Sequence, residues 1–258
     1  MYLFRCLDSG YRFYYPFSIF ASSSLYSQIQ AQNPHYYPKD KWEFSKAFTT
    51  LPNSGKLLEI GCGVGHFMQK AKRKGLECTG LELNPNAIHV AKQNGLTVLN
   101  QDLKEHAIAH KEQYDVVCAF QVLEHITEVR SFVEHCLLCL KPRGILIFGV
   151  PNSNPYLHRF DRLHTLNLPP HHAGLWDKQT MNRLSDFFHM STQAVHVAPL
   201  EAFKDYWNVL LREYKINGYS AYHFLKLIPR PTYKFLLYLI RNKIEGRHIL
   251  GVFKKYSI

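Results

Sequence analysis

Leu57-Leu58-Glu59-Ile60-Gly61-Cys62-Gly63-Val64-Gly65-His66-Phe67 is the stretch that decides how this chain folds. Its first half completes a short apolar run, Lys56 to Ile60, of the kind that forms a strand buried on both faces. Its second half places glycine at 61, 63 and 65 and leads directly into a helical pattern. Val64, Phe67, Met68 and Ala71 recur on one face of that pattern, and Gly75 supplies the stop. Strand, glycine turn and helix together bring backbone N–H groups and a helix N-terminus up to a ligand. A Cβ in such a turn would block the close approach or forbid positive φ. The spacing departs from the dinucleotide fingerprint G-x-G-x-x-G, because position 66 is histidine and the extra glycine sits at 65.

Downstream of this turn the chain alternates. Glu77-Cys78-Thr79-Gly80-Leu81-Glu82 reads as a second strand ending in an acid, and Asn84-Pro85 as a helix cap with proline at the first helical position. Ala87, Ile88 and Ala91 carry that helix to Gly95. Leu96 to Leu99 makes a third strand ending at Gln101-Asp102, and Tyr114 to Phe120 a fourth, followed by Gln121-Val122-Leu123-Glu124-His125. Thr127 is placed to cap the next helix, which Lys141-Pro142-Arg143-Gly144 ends, and Ile145 to Val150 is a fifth strand. Gln193 to Ala198 reads as a sixth strand and His248 to Lys254 as the last, with helices between them over 200–246. Such alternation predicts a parallel sheet with helices on both faces. Right-handed crossovers then gather the strand C-terminal ends on one side, where Glu82, Asp102 and the 120–125 turn fall.

Upstream, residues 1–40 are rich in aromatics and poor in charge, without clear periodicity, and Lys41 to Thr50 predicts a helix. Tyr36, Tyr37 and Trp42 precede the glycine strand either as a lid over its ligand or as cover for the sheet edge. With 258 residues, 46% hydrophobic, the chain suits one domain with appendages. Net charge is +11, and residues 201–258 hold eleven Lys and Arg against four Asp and Glu, hence +7 of it. No run approaches the roughly 20 apolar residues of a membrane span, and the N-terminus makes a poor signal peptide, so a cytoplasmic location is expected. Cys136 and Cys139 form a C-x-x-C within a leucine-rich run, which points to packing rather than zinc.

The pattern E-x-G-x-G-x-G at 59–65 resembles motif I of the class I S-adenosylmethionine (SAM) dependent methyltransferases. The likeness extends over roughly 42–200: the acid at 82, Gln101-Asp102, Tyr114-Asp115-Val116-Val117, Val122-Leu123-Glu124-His125 and Leu140-Lys141-Pro142-Arg143-Gly144. The Val-Leu-Glu-His form is similar to the ubiquinone-biosynthesis-type O-methyltransferase branch. The resemblance implies an α/β, Rossmann-like, doubly wound sheet of seven strands, the last antiparallel, with a helical insertion before it. It divides the chain into an aromatic arm or lid (1–41), a SAM-binding core (42–199), a basic helical insertion (200–246) and a final core strand (247–258). SAM is the implied cofactor. Glu59, Gly61, Cys62, Gly63 and Gly65 would hold its methionine end, and Glu82 and Leu83 its ribose. Asp102 and Leu103 would meet the adenine, with Phe120 and Gln121 under the sulfonium. Cys6-Leu7-Asp8-Ser9-Gly10 looks like half of a zinc knuckle seen in some relatives, but serine at 9 argues against zinc.

The expected activity is methyl transfer to a small-molecule acceptor, at a hydroxyl oxygen of a sugar, lipid-linked or quinol-like compound. Histidine suits proton removal from such a nucleophile, and His125, His171 and His172 are the candidates, the last two in a long loop, 151–176, that would cap the acceptor. Glu124, His125, His171 and His172 also fit a divalent cation by residue type, provided the loop folds over the turn; no metal ligand is assigned. The alternatives are an NAD(P)-dependent oxidoreductase and a non-catalytic SAM-binding module. Nucleic acid is disfavoured as a partner, because the basic residues of 204–255 are interleaved with Leu, Phe and Tyr, a pattern closer to a membrane-surface segment.

Overall fold

The computed structural model describes residues 1–17, 37–153 and 168–257; Tyr36 and positions 154–167 of the long loop lie outside them. The first five strands of the main sheet are β3 (Gly55–Ile60), β4 (Leu76–Leu81), β5 (Thr97–Leu99), β6 (Tyr114–Phe120) and β7 (Leu140–Pro151). With β9 (Met190–Pro199) and β10 (Glu245–Lys255) they form a seven-stranded sheet in the order β5-β4-β3-β6-β7-β10-β9. β3 to β7 pair in parallel, and β10 runs antiparallel to both neighbours. The Rossmann-like sheet read from the sequence is therefore present, including its reversed last strand.

Alternate residues of each central strand feed different cores, as the period of two requires. Leu58, Val117, Ala119, Leu146 and Phe148 face one core, with α4 (Leu103–Ala109) and α5 (Val129–Cys139). Leu57, Val116, Cys118 and Ile147 face the other, with α1 (Trp42–Phe48) and α2 (His66–Arg73). α3 (Pro85–Gln93) packs Ile88 and Ala91 on Met68 and Val98. Phe148 is fully buried; its truncation to alanine would cost about 3–5 kcal/mol. Cys136 and Cys139 are free thiols buried in the first core, as expected of packing cysteines.

Three local expectations are corrected. Thr127 does not cap α5: the cap position is Glu128, and it makes no side-chain cap bond. Lys141-Pro142-Arg143-Gly144 is not a stop after the helix but the start of β7. A register shift opposite Tyr114 and Val116 lets the strand begin early, Arg143 takes φ 64°, and Lys141 Nζ reaches both oxygens of Asp115 at 2.8 and 2.9 Å. The aperiodic N-terminus holds a hairpin, β1 (Tyr2–Arg5) and β2 (Arg12–Tyr15), extended by β8 (Gly174–Leu175). Its turn is the Cys6–Gly10 segment, closed by Cys6 N–H to Tyr11 O at 2.8 Å.

Between β9 and β10 the chain inserts α7 (Phe203–Ile216), α8 (Ala221–Lys226) and α9 (Arg230–Ile240) around a small core of their own. Trp207 stacks on Tyr233, ring centroids 4.7 Å apart, with Leu200 and Leu237. A shorter helix, α6 (Lys178–Arg183), is capped by Asp177, whose Oδ1 accepts from Thr180 N–H at 2.8 Å. No helix among the described residues is long and apolar enough to cross a membrane.

Candidate functional site

The C-terminal ends of β3, β4, β5 and β6 share one edge of the sheet, and the glycine turn rises from the middle of it. Gly61 and Cys62 both donate their N–H to Leu81 O, at 2.8 and 3.1 Å, which locks the turn to the neighbouring strand. Gly65 starts α2 at φ 80°, and a Cβ there would stand 2.1 Å from Leu96 Cδ1. Gly63, at φ 54°, turns its N–H to Glu82 Oε2 at 2.8 Å, while the Tyr37 ring lies where a Cβ would be. Glu82 Oε1 accepts from the N–H groups of Leu83 and Asn84, both at 2.9 Å. A carboxylate offers about four lone-pair sites. Three are thus engaged by backbone, and one remains on Oε2.

Two cavities meet at this turn, sharing Tyr37, Gly61, Gln121, His125 and His171. One, of about 620 Å³, runs along Glu82, Leu83, Asp102 and Leu103. The other, of about 580 Å³, is lined by Glu59, Cys62, Phe120, Glu124, His125 and His172, among others. Asp102 Oδ1 caps α4 by accepting from Glu105 N–H at 2.8 Å. Phe120 is almost wholly buried and meets the Phe44 and Phe67 rings edge-on at 5.1 and 4.6 Å, so it anchors the core beneath the cavity. Gln121 takes φ 58° and donates through Nε2 to Glu43 Oε1 at 2.9 Å.

The second cavity holds a histidine–carboxylate cluster. The short 3₁₀ turn Leu123–His125 meets the loop before β8: Ala173 N–H donates to Glu124 O at 2.8 Å, and His125 Nδ1 lies 2.5 Å from His171 O. That contact assigns the proton to Nδ1, and Nε2 of His125, the acceptor nitrogen of that tautomer, stands 3.8 Å from Glu124 Oε1. The His125 and His172 rings meet at 5.0 Å and 70°. Neither Glu124 oxygen has a hydrogen-bond partner among the described residues, and burial pushes this carboxyl up to about 8. Burial lowers His125, and burial with the neighbouring imidazoles lowers His172 to about 3. One ligand atom from each of Glu124, His125 and His172 lies within 4.8 Å of the others, a spacing that suits a metal ion. His171 enters through its carbonyl; its imidazole is not one of the three.

A family model described as "Methyltransferase domain" matches residues 30–186. The chain belongs to the class I SAM-dependent methyltransferases. A ubiquinone biosynthesis O-methyltransferase of Klebsiella pneumoniae is 35% identical over 105 residues, which is 38% of this chain and 43% of that protein. The match thus spans less than half the length of that relative. A SAM-dependent methyltransferase from Archaeoglobus fulgidus superposes with TM-score 0.53 at 16% identity, over 91% of this chain and 95% of the other. A phosphoethanolamine N-methyltransferase of Haemonchus contortus, solved with SAM, gives 0.51 at 16% identity over 83% and 51%. The family assignment removes the nicotinamide alternative.

The family's cofactor fits the turn on an observation of this structure. Glu59 is buried at the end of β3, and its Oε2 has no partner among the described residues. Burial raises its carboxyl to about 8. An α-ammonium, such as SAM carries, would complete that oxygen's bonding and favour its ionised form. The free lone pair on Glu82 and the open flank at Leu83 suit a ribose.

Residues that the sequence reading missed also wall the second cavity. Glu43 in the first turn of α1 is fully buried, and its Oε1 stands 3.2 Å from His248 Nδ1 of β10. Burial pushes the Glu43 carboxyl up, but His248, with a backbone hydrogen bond and the Lys41 charge, offsets this and the net shift is downward. Tyr11, in the aperiodic arm, does not line that cavity but packs behind it on Trp176 at 4.6 Å, and burial, then the Glu124 charge, raises its hydroxyl. An acid opening a helix and a tyrosine in a hairpin carry no local motif. Nothing in their neighbourhoods signals the site.

Proposed function

We propose that this chain transfers a methyl group from SAM to a hydroxyl oxygen of a small molecule bound in the Glu124–His125–His172 cavity. SAM supplies the methyl on a sulfonium whose leaving group is already good. The protein's task is then to align the acceptor oxygen with that methyl and to take its proton. His125 is suited to the second part. Its Nδ1–H is held by His171 O, so Nε2 is presented as an acceptor, and its lowered pKa keeps it unprotonated near neutrality. His172, lower still, stays neutral beside it and limits rotation of the ring through their edge-to-face contact. The loop before β8 contributes His171 and His172 to the cavity wall. The relatives named as ubiquinone biosynthesis O-methyltransferases support oxygen as the acceptor atom. The pairing of an oriented neutral imidazole with a cavity that opens onto the glycine turn carries this reading. Methyl transfer from labelled SAM to a panel of catechols, sugars and amines tests it: transfer to amines alone would replace oxygen by nitrogen, and no transfer would favour the non-catalytic module.

A second reading assigns the same three side chains to a divalent cation that polarises the acceptor hydroxyl, favoured by their mutual spacing. Dialysis against a chelator separates the two. Unchanged turnover supports proton transfer by His125, while loss restored by a divalent salt supports the cation.

A further inference from the structure

Segment 214–244, which covers the end of α7 and all of α8 and α9, contains no Asp or Glu and six basic residues: Lys215, Lys226, Arg230, Lys234, Arg241 and Lys243. All six except Arg241 are exposed, and Arg241 is half-buried against the Tyr238 ring. α9 is apolar on more than one side. Tyr233 and Leu237 turn inward onto Trp207, whereas Phe235, Leu236 and Leu239 face outward, 62%, 47% and 63% exposed. Phe224 and Leu227 at α8 stand out further still, at 72% and 80%. A helix on a water-facing surface normally turns polar residues outward. This one turns outward large apolar groups ringed by cations.

We infer that the outer face of α8 and α9 docks on an anionic lipid bilayer surface. Aliphatic and aromatic side chains among Lys and Arg are what an interfacial helix presents to acyl chains and headgroups, without crossing the membrane. The charge decides among the occupants. A second copy of this chain would bring the same six cations against themselves. Single-stranded RNA would meet the cations and could stack on Phe224 and Phe235, but it would leave the equally exposed Leu227, Leu236 and Leu239 in water, where acyl chains would bury them. The location supports a working role. β9 ends and β10 begins at the sheet edge that carries the glycine turn, and Glu201 and His248, which bracket the insertion, both line the histidine cavity. A docked insertion therefore holds the acceptor side of the enzyme at the membrane. The inference does not depend on methyl transfer, so its failure leaves that reading intact.

Co-sedimentation of the full chain with vesicles tests it, using phosphatidylcholine alone or phosphatidylcholine with phosphatidylglycerol. Binding is expected only where phosphatidylglycerol is present, and high salt should weaken it. The K226A/K234A variant should bind roughly 25-fold more weakly, about fivefold for each charge removed. The variant F235S/L239S should fall to background, while both variants keep the wild-type affinity for S-adenosylhomocysteine as proof of folding. Both sites are exposed, so neither pair unseats the small core. Equal binding to both vesicle types, or none to either, would overturn the inference. So would a dimer seen by light scattering that F235S/L239S abolishes, or tighter binding to single-stranded RNA than to vesicles.

Discussion

The two cavities that meet at Gly61 are built on different plans. The walls of the Glu82 cavity come mostly from strand ends and the residues just after them, such as Gly61, Glu82, Asp102 and Gln121, with α5 residues, Tyr37 and the Pro170–His171 segment closing it. The histidine cavity is gathered from the whole chain, with Glu43 from α1, Glu59 from β3, Glu124 and His125 after β6, His172 before β8 and His248 from β10. One plan recurs wherever a parallel sheet presents its strand tips, and it uses backbone groups and glycines. The other needs long-range packing to place a few titratable side chains, so it is free to vary with the acceptor. A nucleotide side and an acceptor side should therefore respond separately to substitution.

The largest effect expected belongs to the acceptor side. His125→Ala should lower turnover by about 10²–10⁴-fold, the usual contribution of a positioned general base. Affinity for S-adenosylhomocysteine, read by calorimetry, should stay within about twofold. A comparable loss of affinity would mean that His125 belongs to the cofactor side and that the two cavities act as one. The wild-type acid limb of kcat/KM should lie below the ordinary histidine value of 6.5, because burial lowers the His125 pKa and protonation removes the base. A limb above 6.5 would exclude His125 from that role.

Glu82→Ala should break the other side. It removes the remaining lone pair offered to a ribose and the acceptor for the N–H groups of Gly63, Leu83 and Asn84. Hydrogen bonds to a charged group are worth roughly 1.5–3 kcal/mol each. SAM affinity should drop about 10–100-fold, with turnover at saturating SAM changed only a few-fold. Turnover falling as far as affinity would refute the separation.

How much could be read from residues alone follows the same division. Glu59, the three glycines and Glu82 are fixed by spacing along a strand, a turn and the next strand. Local patterns suffice for their placement, and the alternation of strands and helices around them points to the parallel sheet. Asn84 was legible as a cap for the same reason; its side chain bonds two residues ahead. Failures came where tertiary contact overrode a local signal. Lys141-Pro142-Arg143-Gly144 looks like a helix stop, yet pairing with β6 and the Lys141–Asp115 ion pair draw it into β7. Phe13 and Tyr14 are adjacent aromatics on opposite faces of β2, so no alternation marks the hairpin. Glu43 and His248 become neighbours only once α1 lies against β10, and no spacing encodes that.

Glu124 sharpens the comparison through stability. Its carboxyl rises from the ordinary 4.5 to about 8 on burial, so the folded state favours the neutral form. An acid whose pKa is raised by folding withdraws stability as pH climbs from the unfolded value, and the loss levels off above the folded one. Stability should therefore fall between about pH 4.5 and 8 by at most about 1.4 kcal/mol per pH unit from this group. Glu124→Gln should flatten that slope, seen in Tm against pH, and should raise Tm more at pH 8 than at pH 5. A slope unchanged in the variant would show that Glu124 is ionised and partnered in the folded protein.

The smallest expected effect tests a nucleotide-side residue whose observed bond is structural. Asp102 caps α4 through Oδ1. Asparagine caps helices about as well as aspartate, so Asp102→Asn should change Tm by only a degree or two, a few tenths of a kcal/mol. A carboxylate that also accepts from the adenine amino group would be felt in binding, because the amide oxygen is a weaker acceptor than the charged one. SAM affinity should then fall several-fold while inosine-type analogues, which lack that amino group, bind both proteins alike. If SAM affinity is unchanged, Asp102 is a cap and nothing more, and the adenine end is held by the Leu103 backbone and the apolar walls of the cavity.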